Sequence, residues 1–180
     1  LLTAVRTTTL VDRPATGAPY TRPVEYEPPA GTVVIDDEVE VPGYPGINAH
    51  LCVEQMKVRI DGGPGPESHH GLLIAGTRAV YENTFFSLNN RPHAGWFRGV
   101  LRCEHIDALV RDYDDRFARG EDPTEDNPVR IIDRSRDGLV REHPFTIALG
   151  TLGARKVGPL IDEAERREAD NRREGEGLRR

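Results

Sequence analysis

The sequence predicts an α+β domain, a mixed or antiparallel sheet of about four to five strands with helices packed on one side and further helices at the C-terminal end. Three observations support this fold class. Residues 32–103 contain alternating and β-branched segments, and clusters of proline and glycine separate these segments. After residue 103 the apolar residues recur at the helical spacing of three and four. The sheet is therefore expected first and the helices second.

The first two predicted strands flank a turn. Thr32–Val41 is β-branched at its start and alternates at its end, which is typical of a strand. Pro42–Gly46 contains two prolines and two glycines and predicts a turn. His50–Ile60 alternates again and predicts the second strand. Its predicted inward residues are Leu51, Val53, Val58 and Ile60.

The remaining strands are predicted as a hairpin and one further segment. Gly71–Phe86 contains two apolar runs separated by Gly76-Thr77. Glycine at the first central position of a hairpin loop is what a type II′ turn requires. Trp96–Cys103 is the last predicted strand.

The first helix is predicted from a single apolar stripe. The residues of this stripe share one helix face, and Gly120 stands where a helix-ending glycine is expected. The stripe consists of Ile106, Leu109, Val110, Tyr113 and Phe117.

Two more helices are predicted after an acidic loop. His143-Pro144-Phe145 opens one of them, and Gly158-Pro159 interrupts it, because Pro159 suits the first position of a new helix. Beyond Glu165 the last helix is polar all round, and pairs such as Glu168–Arg172 support it at a spacing of four residues. The sequence thus predicts an extended proline-rich leader at 1–31, a domain at 32–165 and a polar helical tail at 166–180.

Composition narrows the class of protein. The net charge of −6 argues against a nucleic-acid surface spread over the chain, and no stretch reaches the ~20 apolar residues that span a bilayer. Two cysteines favour a reducing cytoplasm over a disulfide framework. Lysine occurs only at Lys57 and Lys156 among many arginines, which indicates a GC-rich genome. The chain begins without methionine, so we expect a piece of a longer parent protein.

No complete catalytic motif is found, and the catalytic residues stay unknown. Asp61–Gly65 fits the string D-x-G-x-G of certain ATPases, but the segment before it predicts a strand where those enzymes have a helix, so a loop is the favoured interpretation. Six histidines and two cysteines lack any zinc-binding spacing, so no metal site is predicted. There is no G-x-S-x-G nucleophile elbow.

Two stretches carry a family resemblance. One is the hairpin ending in Ala79-Val80-Tyr81-Glu82, together with Gly95–Cys103, and the other is the polar segment Asp133–Phe145. They resemble the region that follows the ATP-binding domain in GHKL ATPases, the superfamily of Hsp90, MutL, gyrase B and histidine kinases. The resemblance covers residues 32–165 and identifies the segment as the transducer, or middle, region of such an ATPase.

The resemblance implies a ribosomal-S5-domain-2-like fold and a non-catalytic role that couples the nucleotide state to the movement of domains or partners. Gln55-Met56-Lys57 is similar to a phosphate-sensing loop of the family, so Lys57 and Gln55 would contact phosphate, although the pattern places Lys57 inside a strand. This segment would hold no cofactor, while the parent would bind ATP and magnesium. Its partners would be the ATP-binding domain of the same chain, a second copy or another protein, with no membrane.

Two alternatives stay open. Arginines of the polar segment, Arg134, Arg136 and Arg141, can bind a phosphate or carboxylate of a protein partner, which would make the chain an interaction module without a nucleotide link. The histidines leave a small metal-dependent enzyme as the other alternative.

Overall fold

The structure is a computed structural model that describes residues 8–12, 20–24, 30–60, 70–133 and 138–177. The chain divides into two units, residues 1–30 and residues 31–180. In the first unit, strand β1 (Thr8–Asp12) pairs antiparallel with strand β2 (Tyr20–Val24). The many prolines of this region predicted an extended leader and gave no sign of this pairing.

The second unit is built on a five-stranded mixed sheet. Its strands are β3 (Gly31–Glu40), β4 (Asn48–Met56), β5 (Gly71–Ala75), β6 (Val80–Thr84) and β7 (Phe97–Arg102). Their order is β3-β4-β7-β5-β6, and every neighbouring pair is antiparallel except β5 and β7, which are parallel. The predicted α+β class is therefore confirmed.

Helices cover one face of this sheet. Helix α1 (His105–Arg119) and helix α2 (Pro144–Gly177) follow the last strand. Along β4 the residues Ala49, Leu51 and Val53 are buried, while their neighbours are only half-buried. This alternation is what a sheet with one covered face requires. Both helices add side chains to the same buried cluster as these strands; they include Ile106, Leu109, Phe145, Leu149 and Ile161.

Helix α1 confirms only the first half of its predicted stripe. Ile106 and Leu109 are buried, and Gly120 ends the helix in the left-handed conformation at φ +69°. Phe117, at the end of the stripe, is 76% exposed. The stripe is longer than the body that α1 packs against, so its last turn has nothing of this unit to cover it.

Helix α2 corrects the prediction of two separate helices. It is a single helix of 34 residues that continues through Pro159. A proline inside a helix costs about 3 kcal/mol, largely because a backbone hydrogen bond is lost. Val157 and Ile161 on either side are fully buried, and burying one such side chain stabilises by about 1.5–3 kcal/mol. Packing therefore offsets the proline.

Two details of the predicted strands are wrong. Strand β4 ends at Met56, so Val58 is 67% exposed. Gly76 does not have the positive φ of a type II′ turn. Its role is instead steric, because an added Cβ would lie 2.7 Å from the carboxylate oxygens of Asp107 on α1.

Within the part of the chain that the structure describes, neither helix is both long enough and apolar enough to span a membrane.

Candidate functional site

Strand β6 binds the segment that precedes α2, and it does so through the carboxylate of Glu82. The Glu82 side chain is only 10% exposed. Its Oε2 accepts a hydrogen bond from the Leu139 backbone N–H at 3.0 Å, and its Oε1 accepts one from the Arg141 guanidinium. A Cβ at Gly138 would lie 2.9 Å from the same carboxylate. We call Glu82, Gly138, Leu139 and Arg141 the Glu82 junction.

Phe86 connects this junction to α2. Its φ of +53° lies in the left-handed region, which is uncommon for a bulky residue. The Arg141 guanidinium lies 5.7 Å from the centre of its ring, a cation–π distance. A Cβ added to Gly150 of α2 would lie 3.3 Å from the ring. Contacts on both sides thus hold the strained backbone of Phe86.

The first turn of α2 is capped by a buried histidine. His143 Nδ1 accepts a hydrogen bond from the Phe145 N–H at 3.1 Å, so its Nε2 carries the proton and donates to Asn127 Oδ1 at 3.1 Å. The Asn127 amide nitrogen donates in turn to the Leu109 carbonyl and to Asp112. Burial lowers the pKa of His143. This network joins α2 to α1 with the imidazole neutral.

A surface cluster holds the middle of α2. Arg91 donates to both carboxylate oxygens of Glu165, at 3.0 and 2.6 Å, and to Asp162 at 2.8 Å. His93 Nε2 bonds to Glu168 one turn farther along. The hydrogen bond from Arg91 lowers the pKa of Glu165, and the one from His93 lowers the pKa of Glu168. We call these five residues the Arg91 clamp.

From the clamp onward, the helix and the body form the two walls of a cleft. The side chains of residues 166–174 are all exposed. An open cleft of about 800 Å³ lies between this part of the helix and the end of β4. Its walls include Gln55, Arg59 and Trp96 on the body and Arg167, Glu168 and Arg172 on the helix. We call this space the α2 cleft.

A further polar cluster joins the β5–β6 hairpin to α1. The Tyr81 hydroxyl donates to Asp107, and the Thr77 N–H donates to Asp107 Oδ2 at 2.6 Å. Burial and this hydrogen bond raise the pKa of Tyr81 to about 12. Burial alone would raise the pKa of Asp107, but the hydrogen bonds from Tyr81 and Thr77 outweigh it and the pKa is lowered. At neutral pH the phenol keeps its proton, so the pair positions the hairpin.

The residues predicted from the resemblance lie in different places. Gln55 is half-buried on β4 and lines the α2 cleft. Lys57 is exposed, immediately after the end of β4, and therefore outside the strand that was predicted to contain it. Arg141 belongs to the Glu82 junction. Arg134 and Arg136 lie outside the described residues, as does the Asp61–Gly65 loop.

The histidines are used in separate contacts. His50 Nε2 lies 2.8 Å from Asp36, and the His105 ring packs edge-on against Phe145. Strand β7 stops at Arg102, so Cys103 lies after the strand and His105 begins α1. Across residues 30–60, 70–133 and 138–174, no three His, Cys, Asp or Glu side chains are grouped to hold a metal ion.

Sequence reasoning missed the residues that position α2. Arg91 and Glu165 are 74 positions apart, and His143 and Asn127 lie in different segments. No local spacing connects such pairs. The one signal in the sequence was Asn127, which lies between the first helix and the polar segment. If its side-chain amide is buried there, it must find hydrogen-bond partners.

Comparison with known proteins adds no identification. No protein-family model, curated protein or solved structure matches this chain.

Proposed function

We propose that residues 31–177 are the non-catalytic transducer segment of a GHKL-type ATPase, in which helix α2 passes movement of the sheet to neighbouring domains. The observation that carries this proposal is the way α2 is mounted. Its first half belongs to the core, and the Arg91 clamp holds its middle. Side chains 166–174 then stand free of the core. A long helix held in this way acts as a lever.

The Glu82 junction supports the same proposal. The two stretches that carry the family resemblance are far apart in the chain, yet Glu82 of the first accepts hydrogen bonds from Leu139 and Arg141 of the second. Charge-assisted hydrogen bonds to a carboxylate of low exposure are among the stronger polar contacts. A shift of strand β6 would therefore be transmitted to the start of α2.

Lys57 supplies the direct test of the nucleotide link. It is exposed after the end of β4, where a side chain can reach a ligand bound by another domain. Lys57→Ala should lower the ATPase rate of the full-length parent by at least about tenfold, as loss of a cation on a transferring phosphoryl group does. The matched control is Lys156→Ala, the only other lysine, which lies 3.9 Å from Asp37. Equal rates in the two variants would remove the phosphate-sensing role.

The lever is tested by a distance. Spin labels attached through Arg173→Cys on α2 and Arg78→Cys on the β5–β6 turn, in a Cys52→Ser background, report the position of the helix end relative to the sheet. We expect the label distance in the parent to change when a non-hydrolysable ATP analogue binds. Arg91→Ala should broaden the distance distribution. An identical distribution with and without nucleotide would contradict the proposal.

A further inference from the structure

We propose that the α2 cleft binds a short acidic peptide segment in extended conformation, on Arg167 and Arg172 of the helix and Trp96 of the body. The donors, the acceptors and the shape of the cleft support the proposal, and none of them requires the link to an ATPase.

The carboxylates of the cleft already have cationic partners. Glu165 accepts two nitrogens of Arg91, at 3.0 and 2.6 Å. Glu168 accepts hydrogen bonds from His93 and from Arg172. These acids therefore offer little to a cationic ligand.

The guanidinium groups keep donors to spare. Arg167 bonds to Glu163 through Nε, and Arg172 bonds to Glu168 through one terminal nitrogen. Both side chains are about 70% exposed, and both partners lie one turn away on the same helix. A guanidinium carries several N–H donors in a planar fork that matches a carboxylate. Arg167 and Arg172 can therefore each donate to one more carboxylate.

The shape favours a peptide over a small anion. The helix lines the cleft from Ala164 to Arg172, a length of about 12 Å at 1.5 Å per residue. At about 3.3 Å per residue, an extended segment of roughly four residues spans it. Trp96, Pro92 and Ala169 give the cleft an apolar wall. A peptide in which acidic residues flank one apolar side chain would match both the guanidinium groups and the apolar wall.

The test uses the only tryptophan of the chain. Because Trp96 lines the cleft and no other tryptophan is present, its fluorescence reports this site alone. A blocked peptide of four glutamates around a central phenylalanine is titrated into the intact chain, beside the same peptide with lysines in place of glutamates, and beside inorganic pyrophosphate. We expect a saturable fluorescence change with the glutamate peptide only.

Two pairs of substitutions separate the site from general charge. The double variant Arg167→Gln with Arg172→Gln should weaken peptide binding at least about tenfold, because both anchoring forks are lost. The control, Arg166→Gln with Arg173→Gln, removes two arginines of the same helix that do not line the cleft, and should bind as the unchanged chain does. Circular dichroism checks that both keep their helix.

Three results would overturn the proposal. One is the absence of a saturable change with the glutamate peptide. Another is an equal response to the lysine peptide or to pyrophosphate, which would indicate non-specific binding or a small-anion site. The third is equal affinity in the two double variants.

Discussion

The two halves of the continuous helix α2 are held in place by different interactions. In the first half, Phe145, Leu149, Val157 and Ile161 are fully buried. In the second half, the described side chains beyond Glu165 are exposed, and ion pairs with Arg91 and His93 take over from the core. Burial is not screened by salt and contributes about 1.5–3 kcal/mol per large side chain, whereas exposed ion pairs are weak and are screened. The first half therefore determines stability and the second determines position.

The largest effect is expected when a buried side chain is removed from the first half. Phe145 is fully buried, and the Tyr44 and His105 rings lie 4.8 and 4.9 Å from its ring centre. We expect Phe145→Ala to lower the free energy of unfolding by about 3–5 kcal/mol. Urea denaturation measures this change. Ile147→Ala, an exposed position on the same helix, should stay within about 0.5 kcal/mol. A loss under 1.5 kcal/mol (about half the lower bound) for Phe145→Ala would show that this half is not a core element.

The next largest effect is expected at the capping network. Asn127→Ala removes the acceptor for His143 and leaves that buried N–H without a partner, and it also removes the donations to the Leu109 carbonyl and to Asp112. A stranded buried polar group costs about 1–3 kcal/mol, so we expect a loss of that size in urea denaturation. Asn90→Ala, at an exposed asparagine, is the control. Equal stability of the two variants would contradict a stabilising role for this hydrogen-bond network.

Acid should lower the stability of the domain before it breaks the Arg91 clamp. Burial lowers the pKa of His143 and of His70. The unfolded chain therefore takes up protons near pH 6.5 that the folded chain refuses, and stability falls as the pH drops below that value. The slope is at most about 1.4 kcal/mol per pH unit for each such histidine. Glu165 keeps its charge in this window, because Arg91 lowers its pKa.

Urea denaturation at several pH values between 7 and 5 checks this slope. Replacing the capping imidazole by an amide, His143→Gln, should flatten the slope, since that group no longer titrates. A variant with the same slope as the unchanged chain would show that His143 is not the group responsible.

Disrupting the Arg91 clamp should have the smallest effect on stability and the largest effect on the position of the end of α2. Arg91→Ala should leave the thermal midpoint nearly unchanged, because the clamp lies at the surface. Limited trypsin digestion should then cut faster after Arg166 and Arg167, since the helix end opens more often. Arg130→Ala is the control. It removes a comparable surface ion pair, that of Arg130 with Asp114, which does not involve α2, and this variant should be digested as the unchanged protein is. Unaltered cutting after Arg91→Ala would mean that the clamp does not hold the helix.

The fold could be predicted from the sequence where the signal is local. Alternation predicted β4, glycine predicted the end of α1, and His143-Pro144 predicted the start of α2. Continuation of α2 through Pro159 could not be predicted, because the burial of Val157 and Ile161 that offsets the proline is a tertiary effect. The Arg91 clamp and the Glu82 junction could not be predicted for the same reason, because the residues that pair in them are distant in sequence. Lys57 was misplaced because the alternating pattern runs on beyond the real end of β4.

Hydrogen exchange along α2 measures the two halves of the helix separately. We expect the amides of residues 149–161, apart from Pro159, to exchange only through global unfolding, with protection that decreases with urea as the stability does. Amides of residues 166–174 should exchange through local opening, with much weaker protection that Arg91→Ala reduces further. Uniform protection along the whole helix, unaffected by Arg91→Ala, would contradict the division of α2 into an anchored half and a positioned half.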